Sequence, residues 1–355
     1  MRQIIIYTLL LLAALSAGSC DTPRRDFAHP EANSVYYWKT AFDLDSADFD
    51  FLHRHRVGRI YLRMFDVAVS DEAFNGDRTV PNASVRINHF AYIEKEQLSD
   101  IAIVPTVYIT LEALKEARAN EGRLARNIVT RVKNMCSYNN VPNVEGLQLD
   151  CDWTGSTQGS FFALCDSVRE CIEQYELPWA LSSTIRLHQL AGEVPPVDYG
   201  VLMVYNTGNF NDINTENSII SMADVQPYLK HLGGYPMHLD VAYPTYSWQL
   251  LYHKNQFAGL MNGIDPTDTT TFEPVEKNRY RVVRDFPYGE RIIRAGDIIR
   301  AETSAYSEIA EVKAAIEAIL GDTPHSNVLY HFDLNNLSQY NEHEIQGLYS
   351  TGNRH

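Results

Sequence analysis

The chain has 355 residues, 45% of them hydrophobic and 21% charged, with 19 Gly and 15 Pro; this excludes collagen-like, disordered and low-complexity chains and leaves room for a large packed core. Lys and Arg number 30 against 45 Asp and Glu, a formal net charge of −15. No basic run is long enough to build a phosphate-binding face against that field, so nucleic acid is excluded as a partner.

Residues 1–19 read as an export signal. Arg2 precedes an uncharged, largely apolar run of 12 residues, Ile4 to Leu15, whereas a membrane-spanning helix needs about 20. The segment Leu15-Ser16-Ala17-Gly18-Ser19-Cys20 resembles a bacterial lipoprotein box. The resemblance implies acylation of the Cys20 thiol and a mature chain held by lipid at the bacterial cell envelope, an ordinary secretory signal with a chance cysteine being the alternative. Residues 20–33 then form a tether ahead of a folded part at 34–350.

From residue 34 onward, β-branched and aromatic runs alternate with segments of helical period, the pattern of repeated βα units on a parallel sheet. Eight strands are expected: Val35–Thr40, Arg59–Phe65, Ile101–Ile109, Gly146–Asp152, Ala180–Arg186, Gly200–Tyr205, His238–Tyr243 and Asn327–Phe332. Leu124, Ile128, Val132 and Met135 mark one intervening helix, and Phe161, Cys165, Val168, Ile172 and Tyr175 the next. Ile309, Val312, Ile316 and Leu320 mark a third, stopped by Gly321 and Pro324. Eight such units fit a (β/α)8 TIM barrel, with a doubly wound open sheet as the rival. Ala68–Ile87 and Asn255–Ser304 break the repeat, and the second, rich in hairpin-like material, reads as a small β insertion after strand seven.

Cys136, Cys151, Cys165 and Cys171 form no C-x-x-C pair and have no His at zinc-finger spacing, so no metal is implied. Cys165 and Cys171 fall on the apolar stripe of one helix, which favours packing, although export would permit a disulfide between some pair.

Strand four carries the chemistry. Gly146-Leu147-Gln148-Leu149-Asp150-Cys151-Asp152 alternates strictly, so Leu147, Leu149 and Cys151 share one face and Gln148, Asp150 and Asp152 the other. In a barrel the second face points inward. Two carboxylates about 6.5–7 Å apart along a strand are tolerable there only at the open C-terminal mouth, where barrel enzymes keep their sites. Such a pair repels, so one member can hold a proton while its neighbour stays ionised, which is what glycoside cleavage requires. The bland alternative makes Asp150 a structural residue and Asp152 the cap of a helix beginning near Thr157.

This strand resembles that of the chitinase-like barrels of glycoside hydrolase family 18, whose pattern is Asp-Gly-hydrophobic-Asp-hydrophobic-Asp-x-Glu. The resemblance implies that Asp150 orients the substrate's reacting group and Asp152 stands where the family has its glutamate acid, one methylene shorter, while Gln148 replaces an inner aspartate. An uncharacterised group of bacterial exported barrels, reading Gln-hydrophobic-Asp-x-Asp, is closer still and implies no reaction. Met203-Val204-Tyr205-Asn206 resembles the sixth strand of the chitinases, which implies that Tyr205 lies near the reacting group, with Asn206 in place of an aspartate.

Sugars pair apolar C–H faces with hydroxyls, so their sites combine aromatic rings with planar polar side chains. Residues of both kinds fall at or just beyond the expected strand ends: Trp38, Arg63, Asp66, Tyr108, Trp153, Arg186, His188, Asn206, Asp240, Tyr243, Tyr246, Trp248 and Asp333. Zincin, Walker, Gly-x-Ser-x-Gly and Gly-x-Gly-x-x-Gly signatures are absent from the sequence, so no cofactor is implied. The expectation is an envelope-anchored barrel that binds and hydrolyses a glycan through Asp150 and Asp152, or else a lectin-like barrel or envelope scaffold.

Overall fold

The computed structural model describes residues 31–351 except 75 and 88–91. The export signal, Cys20 and most of the tether therefore lie outside the described residues.

Eight parallel strands close into a barrel: β1 (Asn33–Tyr37), β2 (Val57–Phe74), β3 (Ala102–Ile109), β4 (Gly146–Asp150), β5 (Ala180–Arg186), β6 (Tyr199–Met203), β7 (Leu239–Pro244) and β8 (Asn327–Tyr330). Each pairs with the next, and β1 pairs with both β8 and β2, which shuts the ring. The fold is the (β/α)8 TIM barrel and not an open sheet, because closure leaves no edge among the eight. Helices α1 (Glu121–Tyr138), α2 (Gln158–Gln174) and α3 (Tyr306–Leu320) lie where the apolar period puts them. Their stripes, such as Leu124, Ile128 and Val132 on α1 and Phe161, Cys165 and Val168 on α2, are buried on the barrel's outer face. Gly321 ends α3 at φ 55°, a left-handed conformation that costs glycine little.

Two segments depart from the plain repeat. β2 runs on to residue 74 because 77–82 turns back and pairs with it antiparallel, which lengthens the strand past the stretch that is apolar by sequence. After β7, five strands form a separate antiparallel sheet in the order 256–261, 247–253, 298–303, 279–282 and 272–276. This sheet has its own small core of Leu251, Met261, Phe272, Val282, Ile293 and Ile299. It begins at Ser247, immediately beyond the end of β7, so it rises directly from the barrel mouth.

Inside the barrel, alternation fills the floor with a buried polar layer. Arg59 stands 3.8 Å from Asp240, and the Tyr61 ring stacks on Tyr36 at 4.8 Å. Above them the Tyr36 hydroxyl donates to Oε1 of Gln148 at 2.7 Å. Packing is close enough that small residues are enforced: a Cβ on Gly146 would lie 2.9 Å from the Ala180 carbonyl oxygen, a backbone atom of the neighbouring strand that cannot swing aside. Gly146→Ala is expected to cost about 1–3 kcal/mol through overpacking, read as a lower urea midpoint with an unchanged slope; an unaltered midpoint would contradict this account of the β4–β5 contact.

Candidate functional site

The strand register brings the acidic residues to the mouth. β4 pairs with β5 as Gln148 with Ser182 and Leu149 with Ser183, so the next inward positions are Asp150 and Thr184, followed by Asp152 and Arg186. Thr184 Oγ1 donates to Oδ1 of Asp150 at 2.7 Å, and Nη2 of Arg186 donates to the same oxygen at 3.1 Å. Nε of Arg186 donates to Oδ1 of Asp152. One guanidinium therefore bridges both carboxylates. Asp152 does not cap the following helix; Thr157 is the N-cap residue of α2.

The two acids have different surroundings. The Asp150 side chain is 6% exposed and that of Asp152 is 47% exposed. Burial pushes the Asp150 carboxyl above the usual carboxylate range, and Arg186 opposes that rise. The guanidinium is held charged by the same two acids, although burial works against it.

Aromatic rings border the cluster. Arg186 lies over the Tyr205 ring at 5.8 Å, and Tyr205 stacks on Tyr330 with centroids 4.2 Å apart. Tyr246 meets Tyr205 edge-on at 6.3 Å and Trp248 at 5.6 Å. On the other side Trp38 packs against Tyr330, and Arg63 sits over its ring at 5.5 Å. Arg63 in turn grips Asp66 through two bonds, at 3.0 and 2.6 Å. A register shift between Arg63 and Phe65 turns both residues toward the mouth: Arg63 lies opposite Thr106 on β3 and Asp66 opposite Tyr108. Burial, with Asp152 as the next cause, pushes the Tyr108 hydroxyl up to about 12. The cavity at this mouth measures about 350 Å³ and is lined by Asp152, Arg186, His188, Tyr205, Asn206 and Tyr228, among others.

The insertion sheet braces one wall. Arg300 and Glu302 form a fully buried pair at 2.6 Å. Glu302 accepts from Trp248 Nε1 and from Ser218 Oγ, both at 2.6 Å, while Arg300 donates to the Asp212 carbonyl at 2.7 Å. The loop after β6, residues 206–220, is thereby fastened to the sheet that carries Trp248. Tyr246 adds a bond to Asn206 Oδ1 at 2.6 Å.

Of the residues expected from sequence, Asp150, Asp152, Arg186, Tyr205, Asn206, Tyr246, Trp248, Trp38, Arg63, Asp66 and Tyr108 converge on this mouth. Of the other four, three are buried away from the cavity and one stands on its rim. Gln148 is fully buried beneath the cluster, bonded to Tyr36. Trp153, 2% exposed, has turned outward, where it packs against Phe161 and Phe162 of α2. Tyr243 is fully buried and lies on the strand face opposite Asp240 and Ala242, on the side of α3. Asp333 caps the short helix Leu334–Leu337 and pairs with Lys39 at 3.0 Å on the rim. Of the two expected beyond these, His188 lines the cavity and Asp240 lies in the barrel floor. Sequence reasoning missed Tyr330, whose inward parity on the eighth strand was a usable signal, and the Arg300–Glu302 brace, whose spacing of two puts both charges on one strand face but says nothing of the segments they fasten.

No protein-family model matches the chain, and no curated protein matches it. Among solved structures, it is similar to a mutant Group II chitinase catalytic domain of Ostrinia furnacalis in complex with an N-acetylchitooligosaccharide, at 10% identity and a TM-score of 0.50 over 90% of this chain and 95% of that one. It is also similar to the spore cortex-lytic enzyme of Bacillus cereus, at 9% identity and a TM-score of 0.50 over 92% of this chain and 76% of that one. The chain thus shares the (β/α)8 barrel fold of these two enzymes in a divergent sequence.

Removing the bridge should expose its cost. Arg186→Met leaves Asp150 buried without its cation and is expected to lower stability by about 3 kcal/mol at neutral pH. Because burial raises the folded-state value of Asp150, its contribution to stability is greatest in acid and is lost as pH rises through that value. The deficit of the variant should therefore shrink near pH 4; chemical denaturation showing the same deficit at both pH values would contradict the pairing.

Proposed function

We propose that this chain is a glycan-binding barrel whose mouth recognises a saccharide without hydrolysing it. The single observation that carries the reading is the bridge from Arg186 to both Asp150 and Asp152 beside stacked rings. Aromatic faces, a carboxylate with one oxygen turned to solvent and the neighbouring Asn206 suit the C–H faces and hydroxyls of a sugar. In this arrangement Asp152 is a hydrogen-bond acceptor of Arg186, and it is a methylene shorter than the glutamate acid of the chitinases. A shortfall of about 1.5 Å in proton delivery is enough to cost ~10²-fold in rate. The chitooligosaccharide carried by one structural neighbour makes that class of ligand the first probe.

A purified sample is expected to bind an N-acetylchitooligosaccharide saturably, with no new reducing ends on prolonged incubation. Tyr205→Ala, which removes the ring beneath the Arg186 guanidinium, should weaken binding about fivefold. Release of reducing ends that stops in Asp152→Asn would instead establish hydrolysis through that residue, and no binding across a glycan panel would remove the carbohydrate reading.

The same proposal places the barrel at the bacterial envelope through lipid on Cys20, supported by Leu15-Ser16-Ala17-Gly18-Ser19-Cys20. In a bacterial host the chain should take up a clickable fatty acid and fractionate with membranes, and Cys20→Ala should do neither; equal labelling of the two would contradict the anchor.

A further inference from the structure

The charges around the mouth bear on which glycan it takes. Four carboxylates surround it, Asp66, Asp150, Asp152 and Asp333, against three cations, Arg63, Arg186 and Lys39, and each cation is already paired with a carboxylate. Arg63 spends two donors on Asp66, and Arg186 serves two acids at once. An acidic sugar would therefore meet no unpaired cation in this group, and its own charge would add to an excess of negative charge. The unbalanced charge is the accessible one. Asp152 is 47% exposed and lines the cavity, and among the described residues its Oδ2 has no hydrogen-bond partner.

We propose that the mouth selects a basic glycan, one carrying a free amino group on the sugar ring, and that Asp152 Oδ2 is the acceptor for that ammonium. This rests on the glycan-binding reading and specifies its ligand class. The amine of a glucosamine unit would offer three donors and a positive charge to an oxygen that now faces solvent. The N-acetylated unit offers a single amide donor and no charge, and a uronic acid offers a second anion.

The test compares oligosaccharides of equal length by calorimetry at pH 7: glucosamine, N-acetylglucosamine and galacturonic acid oligomers. The expected order is free amine tightest, about fivefold over the N-acetylated form, with the uronic acid weakest. The amine's advantage should fall as salt rises, while binding of the N-acetylated oligomer stays level. In Asp152→Asn, which keeps the shape of the side chain, the amine and N-acetylated forms should bind alike. Equal affinities in the unaltered protein, or a preference that survives Asp152→Asn, would overturn this inference and leave the glycan-binding reading in place. Failure of all three to bind would overturn both.

Discussion

The guanidinium of Arg186 is the constraint on which the mouth depends. Asp150 is withdrawn from water at the top of a closed barrel, and an ionised carboxylate in that position is costly unless a cation and hydrogen-bond donors reach it. Thr184 and Arg186, two steps apart on the adjacent strand, supply both. Their placement follows from the β4–β5 register, since a slip of one residue would turn Thr184 and Arg186 to the helices and Asp150 away from them. Once Arg186 is fixed, the rest is fixed around it: Asp152 is drawn in from the strand end, and the Tyr205 and Tyr330 stack lies under the cation.

The insertion sheet extends this order outward. A fully buried Arg300–Glu302 pair is poor evidence of stability in general, but here its remaining bonds reach Trp248, Ser218 and the Asp212 carbonyl. It therefore couples two separate excursions of the chain, the loop after β6 and the sheet after β7, into one wall. Trp248 cannot rotate freely while its indole nitrogen is held by Glu302, so the aromatic edge of the mouth is preorganised, which lowers the ordering cost of binding.

Much of the barrel was legible in the sequence because both of its periods are strong. The eight expected strands fall on the eight observed, and the inward parity of Gln148, Asp150 and Asp152 follows from strict alternation. The site was legible in part. Parity along one strand does not say what stands across from it, so the partner of both acids, Arg186, appeared only as a polar residue at a strand end. Position at a strand end was the misleading cue for Trp153: by parity it continues the outward face of Leu147, Leu149 and Cys151, and it packs against Phe161 and Phe162 of α2. Arg300 and Glu302 share one face of a single strand, but what they fasten could not be read, since the bonds to Trp248, Ser218 and the Asp212 carbonyl depend on how the five-stranded sheet is ordered and where the loop after β6 lies.

The central claim is that a single guanidinium holds both acids and forms part of the surface a saccharide touches. The most direct measurement is the nitrogen-15 spectrum of the Arg186 side chain, assigned by comparison with an Arg186→Lys sample, with and without an oligosaccharide. The account predicts an Nε–H that exchanges slowly with solvent and whose resonance moves when sugar is added; a rapidly exchanging Nε–H, unmoved at saturating sugar, would contradict it.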